Sequence, residues 1–146
     1  MKQNDVARTV MAFGSFDLIH PGHLFYLDNA KKKGDRLIVI IARNQTILKR
    51  KKKPPVFDEQ DRLMLVSRLD MVDLTVLGDL KDPFKCLETY HPDILCFGYD
   101  QEVDLKSLKV YCVGKGILIP AFSRSPSYEP HKYKSSFYAK KIGLSR

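Results

Sequence analysis

The sequence predicts an α/β fold: a parallel sheet of about five strands with helices on both faces, in a single domain over residues 1–146. Two observations carry the prediction. The short apolar runs are near-continuous instead of alternating, the pattern of strands covered on both faces. Helical patterns fall between them, and strand–helix alternation implies right-handed crossovers between parallel strands. The length of 146 residues, 44% hydrophobic, suits one core and not two.

The elements follow in order. Thr9–Phe13 reads as the first strand. His23–Lys33 reads as a helix, with Leu24, Leu27 and Ala30 three apart and a stop at Gly34. Leu37–Ala42 is the second strand, and Lys49–Pro55, five cations followed by two prolines, predicts a mobile loop. Asp58–Leu69 predicts a helix capped by Asp58, with Leu63, Val66 and Leu69 on one side. Leu74–Leu77 is the third strand, and Pro83–Tyr90 a helix with proline near its first position. Ile94–Phe97, a helix over Val103–Lys115 and a fifth strand at Ile117–Phe122 complete the alternation. Ser123–Lys134 is a long irregular segment of the kind that small domains keep for function, followed by a last helix from Ser135 or Ser136.

Charge narrows the partners. Lys and Arg number 25 against 17 Asp and Glu, a net +8, which favours a polyanion: a phosphorylated small molecule, nucleic acid or an anionic membrane surface. The basic residues concentrate in two loops, so a nucleic-acid-binding module is the less favoured reading. The three cysteines, Cys86, Cys96 and Cys112, are widely spaced and indicate buried thiols, not a disulfide framework or zinc site. No apolar run approaches the roughly 20 residues of a membrane span, and the polar start lacks a secretory core. A soluble cytoplasmic protein is the expectation.

The chemistry concentrates in Gly14-Ser15-Phe16-Asp17-Leu18-Ile19-His20-Pro21-Gly22-His23, between the first strand and the first helix. In an open α/β sheet, ligands bind at the carboxyl ends of strands, where the next helix offers unpaired N–H groups to an anion. Gly14 and Gly22 are expected to let phosphate approach the backbone, with Ser15, Phe16, Pro21 and Gly22 forming the cradle. His20 and His23, three apart, are expected to face one phosphate as hydrogen-bond donors. Two alternatives stay open: a metal pair with Asp17 as third ligand, and a purely structural role.

Gly14-x-Phe16-Asp17-x-x-His20-x-Gly22-His23 resembles the signature of the nucleotidyltransferase superfamily that contains the cytidylyltransferases. Ala42-Arg43-Asn44, the basic run ending at Pro54, Glu59-Gln60-x-Arg62, Val72-Asp73, Gly98-Tyr99-Asp100-Gln101 and Ser135-Ser136 fall in family order along nearly the whole chain. The archaeal FAD synthase branch is the most similar, through its Ala-Arg-Asn and Gly-x-Asp-Gln forms. The tail His131-Lys132-Tyr133-Lys134-Ser135-Ser136-Phe137 departs from the Arg-Thr-x-Gly-Ile-Ser-Thr-Thr form usual in cytidylyltransferases, and no cysteine follows Cys112.

The resemblance implies a Rossmann-like, doubly wound sheet and an enzyme that moves AMP from ATP to FMN with Mg²⁺ or another divalent metal, releasing pyrophosphate. A CTP-dependent enzyme acting on glycerol-3-phosphate or another polyol phosphate is the alternative. In the leading reading His20 and His23 are the catalytic contacts. Asp100 holds the ribose or base side, Tyr128, with Tyr133 as the alternative, stacks on adenine or on the flavin ring, and Ser135 and Ser136 bind triphosphate oxygens. Lys52 and Lys132 close over the triphosphate, no metal ligand is named, and a homodimer is a possible state.

Overall fold

The computed structural model describes residues 6–134 and residue 140. The expected last helix, with Ser135 and Ser136, lies outside the described residues. The elements are β1 (Thr9–Gly14), α1 (Pro21–Lys31), β2 (Arg36–Ile41), α2 (Asn44–Lys51), α3 (Glu59–Ser67), β3 (Leu74–Leu77), α4 (Lys85–Tyr90), β4 (Ile94–Phe97), α5 (Leu105–Lys115) and β5 (Ala121–Arg124).

All strand pairs are parallel, in the order β3-β2-β1-β4-β5. The sheet is therefore doubly wound and Rossmann-like, and its strand order reverses between β1 and β4. One core layer packs Tyr26, Leu27 and Ala30 of α1 and Val66 of α3 against Val10, Ala12, Leu37 and Val39. On the opposite face Leu87 of α4 and Leu108 and Cys112 of α5 cover Met11, Ile38, Ile40 and Leu95. The burial of β1, β2 and β4 from both sides is why their sequences are continuously apolar.

Three expectations need correction. The basic run is not all loop: Lys49, Arg50 and Lys51 form the last turn of α2, where cations complement the partial negative charge of a helix C-terminus. Only Ile47 of α2 is buried, so the helix lacks the apolar periodicity that would have announced it. The fifth strand begins at Ala121 and not at Ile117. Gly116, at φ 67°, ends α5 in the left-handed conformation, and the Ile117 N–H donates back to the Cys112 carbonyl, so Ile117 still belongs to the helix stop. Pairing with β4 starts only after Pro120, at Ala121 opposite Ile94.

Gly34 is the third. It is not in a left-handed conformation, as a helix-terminating glycine often is; a Cβ there would sit 2.7 Å from the Arg8 carbonyl oxygen and 2.7 Å from Val10 Cγ2. The glycine lets the chain after α1 cross the start of β1, where Asp35 and Arg36 both donate to that same carbonyl. Cys96 and Cys112 are buried as expected, and Cys86 is half-buried with its thiol pushed up to about 11 by burial.

Gly34 and Gly114 make opposite predictions. Gly34→Ala forces backbone apart and should cost about 1–3 kcal/mol. Gly114, inside α5 with nothing within 4 Å of an added Cβ, should gain up to about 1 kcal/mol as alanine. Urea unfolding of the two variants against the parent reads both signs in one experiment.

Candidate active site

The site begins where β1 and β4 part. Their pairing ends at Ala12 opposite Cys96, while β1 and β2 stay paired to Gly14 and Ile41. Beyond that point side chains replace the missing strand partners. The Phe13 N–H donates to Tyr26 Oη (3.1 Å), which donates to the Cys96 carbonyl (2.6 Å). Gln101 Nε2 donates to the Phe13 carbonyl (2.6 Å), and the Gly98 N–H donates to Gln101 Oε1 (2.8 Å). Arg124 Nη1 holds the Gly98 and Gln101 carbonyls from β5. The result is a crevice propped open at the topological switch point.

At its mouth stands the N-terminus of α1. His20 is the N-cap: its Nδ1 accepts from the Gly22 N–H (3.1 Å), and His23 Nδ1 accepts from the His20 N–H (3.1 Å). This is a reciprocal capping box built from two imidazoles, whose rings stack 3.8 Å apart. With each Nδ1 accepting, the proton of each neutral ring is on Nε2. Burial, with His20 and Lys51 adding to it, pushes His23 down to about 3; burial also lowers His20. Near neutral pH the pair is therefore uncharged.

The two glycines make this packing possible. A Cβ on Gly22 would lie 2.9 Å from His20 Cε1, and one on Gly14 would lie 2.7 Å from Phe16 Cε2. The space above Gly14 is thus filled by the Phe16 ring, which is buried edge-on to His23 and stacked with Tyr26. Phe16 (φ 51°) and Leu18 (φ 56°) are both left-handed without being glycine, a strained turn of the kind found at ligand clamps.

Between them Asp17, 1% exposed, supplies the restraint: its carboxylate accepts from the Val56 N–H (2.6 Å) and the Phe57 N–H (2.9 Å). It thereby fastens the chain after the basic run to the β1–α1 loop, and its oxygens are engaged by backbone instead of a metal. From α3, the fully buried guanidinium of Arg62 donates to the carbonyls of Ser15, Ala42 and Phe57 and to Asn44 Oδ1. Glu59 completes the frame, accepting from the Asn44 N–H at the start of α2 and pairing with Arg43.

The remaining expected residues distribute as follows. Ser15 and Pro21 flank the strained turn and open α1. Lys52 is the left-handed C-cap of α2, whereas Lys51 is the lysine whose charge reaches His23. Lys132 Nζ lies 5.2 Å from the Tyr133 ring centre, and Tyr133 stacks on His20 at 6.2 Å, so the tail does reach the histidines. Tyr128 stacks on Phe25 (4.8 Å) and Tyr133 (5.7 Å), so its partners here are the protein's own rings. Asp100 is exposed beyond β4, next to Gln101. Among the described residues no three His, Cys, Asp or Glu side chains gather in a metal-binding group. Gln101, Arg124 and Tyr26 were not singled out as site residues in the sequence. Only the order of Gly98-Tyr99-Asp100-Gln101 after a strand hinted at the first.

A family model described as cytidylyltransferase-like matches residues 11–139. An FAD synthase of Aciduliprofundum boonei is 43% identical over 110 residues, 75% of this chain and 73% of that one. An FAD synthase of Thermoplasma acidophilum is 43% identical over 135 residues, 91% of this chain and 92% of that one. The crystal structure of a lipopolysaccharide core biosynthesis protein from Thermoplasma volcanium is 40% identical, with a TM-score of 0.77, covering 85% of this chain and all (100%) of that one.

The frame yields two predictions. Arg62→Met leaves four acceptors without their donor and should cost more than about 3 kcal/mol, visible as a large drop in melting temperature. Arg62→Lys should recover only part, because an ammonium cannot span the same acceptors. The second concerns acid. His23 titrates near 3 when folded and near 6.5 when unfolded, so below about pH 6.5 the unfolded chain binds the proton first. The His23 contribution is whole above that pH and shrinks as pH falls toward 3. Unfolding free energies measured from pH 7 to 4 should fall less steeply in His23→Gln than in the parent.

Proposed function

The chain belongs to the cytidylyltransferase-like family of nucleotidyltransferases, and from that premise we propose that its β1–α1 site transfers AMP from ATP to FMN, giving FAD and pyrophosphate. The activity is that of an FMN adenylyltransferase, a nucleotidyltransferase of the EC 2.7.7 class. The observation that carries the site assignment is the neutral histidine capping box at the N-terminus of α1, beside the crevice between β1 and β4.

The reaction is an in-line displacement. A phosphate oxygen of FMN forms a bond to the α-phosphorus of ATP as the bond to the bridging oxygen toward the β-phosphorus breaks, and pyrophosphate leaves with that electron pair. The attacking oxygen is already anionic at neutral pH, so no strong base is needed; positioning and charge stabilisation suffice. His20 and His23 donate through Nε2–H to oxygens on the α-phosphate, and the partial positive charge at the N-terminus of α1 adds to the same field, although the first-turn N–H groups of Gly22 and His23 are themselves engaged by His20. Lys51 supplies positive charge from the end of α2, with Lys52 and Lys132 at the rim. Asp100, beyond β4, faces the ribose or base of the nucleotide, while Ser135 and Ser136 serve the triphosphate oxygens.

The protein's own donors do not fit a resident divalent cation, since the one buried carboxylate of the loop, Asp17, is taken by two backbone N–H groups. Mg²⁺ is proposed to enter on the oxygens of ATP, largely hydrated, where it offsets phosphate charge. No helix among the described residues is long and apolar enough to cross a membrane.

A second reading has one observation in its favour: the Thermoplasma volcanium relative is named for lipopolysaccharide core biosynthesis, which suits a sugar- or polyol-phosphate acceptor. Pyrophosphate release, with ATP and CTP crossed against FMN and glycerol-3-phosphate, separates the two. ATP with FMN alone should give release, with FAD appearing in step. His20→Ala and His23→Ala should each lower kcat by about 10²- to 10³-fold, the effect of removing a transition-state hydrogen-bond donor. Release with CTP and glycerol-3-phosphate instead would transfer the same site to the other reading.

A further inference from the structure

We infer that the apolar groove between the β1–α1 loop and α3 receives the flat ring system of the acceptor, and so selects a flavin phosphate over a polyol phosphate. The inference rests on the adenylyl-transfer reading above and adds where the acceptor's body lies.

The groove is a cavity of about 600 Å³. Leu18 and Ile19 form one wall, Leu65 of α3 and Leu69 just beyond its end the other, and Phe57 closes an end. Among the described residues its one titratable lining residue is His20, which stands with Pro21 where the groove meets the N-terminus of α1. Such a site is apolar along its length and phosphate-binding at one tip, the distribution of a ligand with a hydrophobic body and a phosphate on an arm.

Its position fits a second substrate. The crevice for the nucleotide opens between β1 and β4, whereas α3 covers the β2–β3 side of the sheet. The groove therefore approaches the histidines from the flank opposite the crevice, and two ligands can meet at His20 without sharing walls. Both walls are also built, not incidental. Leu18 lines the groove from a left-handed backbone, and Phe57 is held in place by its N–H bond to Asp17. Leu65 and Phe57 remain 38% and 37% exposed, apolar surface that a planar ring would cover. A polyol phosphate offers nothing to cover it.

Leu65→Asp tests this directly, because an exposed position tolerates the change, and Phe57→Ala supplies an independent second variant. In the active protein each should raise KM for FMN by about tenfold or more while leaving KM for ATP unchanged. Val110→Asp, on the exposed face of α5, serves as control and should change neither. Riboflavin, the same ring without phosphate, should bind the parent and lose affinity in Leu65→Asp, as read from flavin fluorescence. Unchanged FMN and riboflavin affinities in both variants would overturn the inference while leaving adenylyl transfer intact. A parent that makes no FAD yet binds riboflavin in this groove would sink the reaction and keep the ring site. A shift in oligomeric state by light scattering in Leu65→Asp, with flavin affinity unchanged, would assign the groove to a second copy of the chain and overturn the inference.

Discussion

Four acceptors from separate places in the chain, Ser15, Ala42, Asn44 and Phe57, converge on the guanidinium of Arg62, which solvent does not reach. A buried cation is costly unless its donors are satisfied, and the rigid fork of arginine suits several carbonyls in fixed directions. That requirement sets the spacing between the loop after β1, the end of β2, the start of α2 and the chain entering α3. Asp17 ties the same segments from the opposite side, through the backbone of Val56 and Phe57. The strained turn at Phe16 and Leu18 persists because both of these anchors hold it.

Held in that frame, the histidines do two jobs with their two nitrogens. An ordinary capping box uses a hydroxyl at the cap and a carboxylate three residues later. A carboxylate here would place a negative charge where the proposed reaction puts its phosphates, and a hydroxyl would spend its oxygen on the cap. An imidazole caps with Nδ1 and still has a second nitrogen, the one the proposed reaction assigns to the phosphate. Burial then keeps His23 neutral at working pH, so positive charge is left to Lys51 and to the helix terminus. Division of the field between neutral donors inside and cations at the edge avoids burying two imidazolium charges 3.8 Å apart.

The strands and the helices that cover them were legible because their apolar positions report a two-sided burial that little else produces. The place of the Gly14–His23 segment, joining the first strand to the first helix, was legible because an apolar run precedes it and a helical period follows. What its glycines accommodate was not: whether Gly14 faces a ligand or the Phe16 ring depends on side-chain packing, which spacing does not encode. The helix α2 was missed because one buried residue, Ile47, leaves no period to detect. Arg62 was visible only as a family-order residue, since a buried cation in an amphipathic helix looks like any solvated one until its acceptors, drawn from distant loops, are in place. The mispositioned fifth strand has a local cause: the stop of α5 consumes Ile117, and an apolar run carries no mark of where a helix cap ends and a strand begins.

The crevice itself shows how such a sheet can open without losing stability. Parting β1 from β4 after Ala12 would leave the N–H and C=O of Phe13 and the carbonyl of Cys96 without strand partners, and buried backbone groups of that kind are costly. Tyr26 Oη serves the Phe13 N–H and the Cys96 carbonyl together, and Gln101 serves the Phe13 carbonyl. Burial raises the Tyr26 hydroxyl well above its ordinary range, so it stays a donor at any physiological pH. In the proposed reaction the nucleotide thus meets strands already held apart by hydrogen bonds that do not depend on it. Its binding free energy is then available for orienting the triphosphate at the histidines instead of being used to separate the sheet.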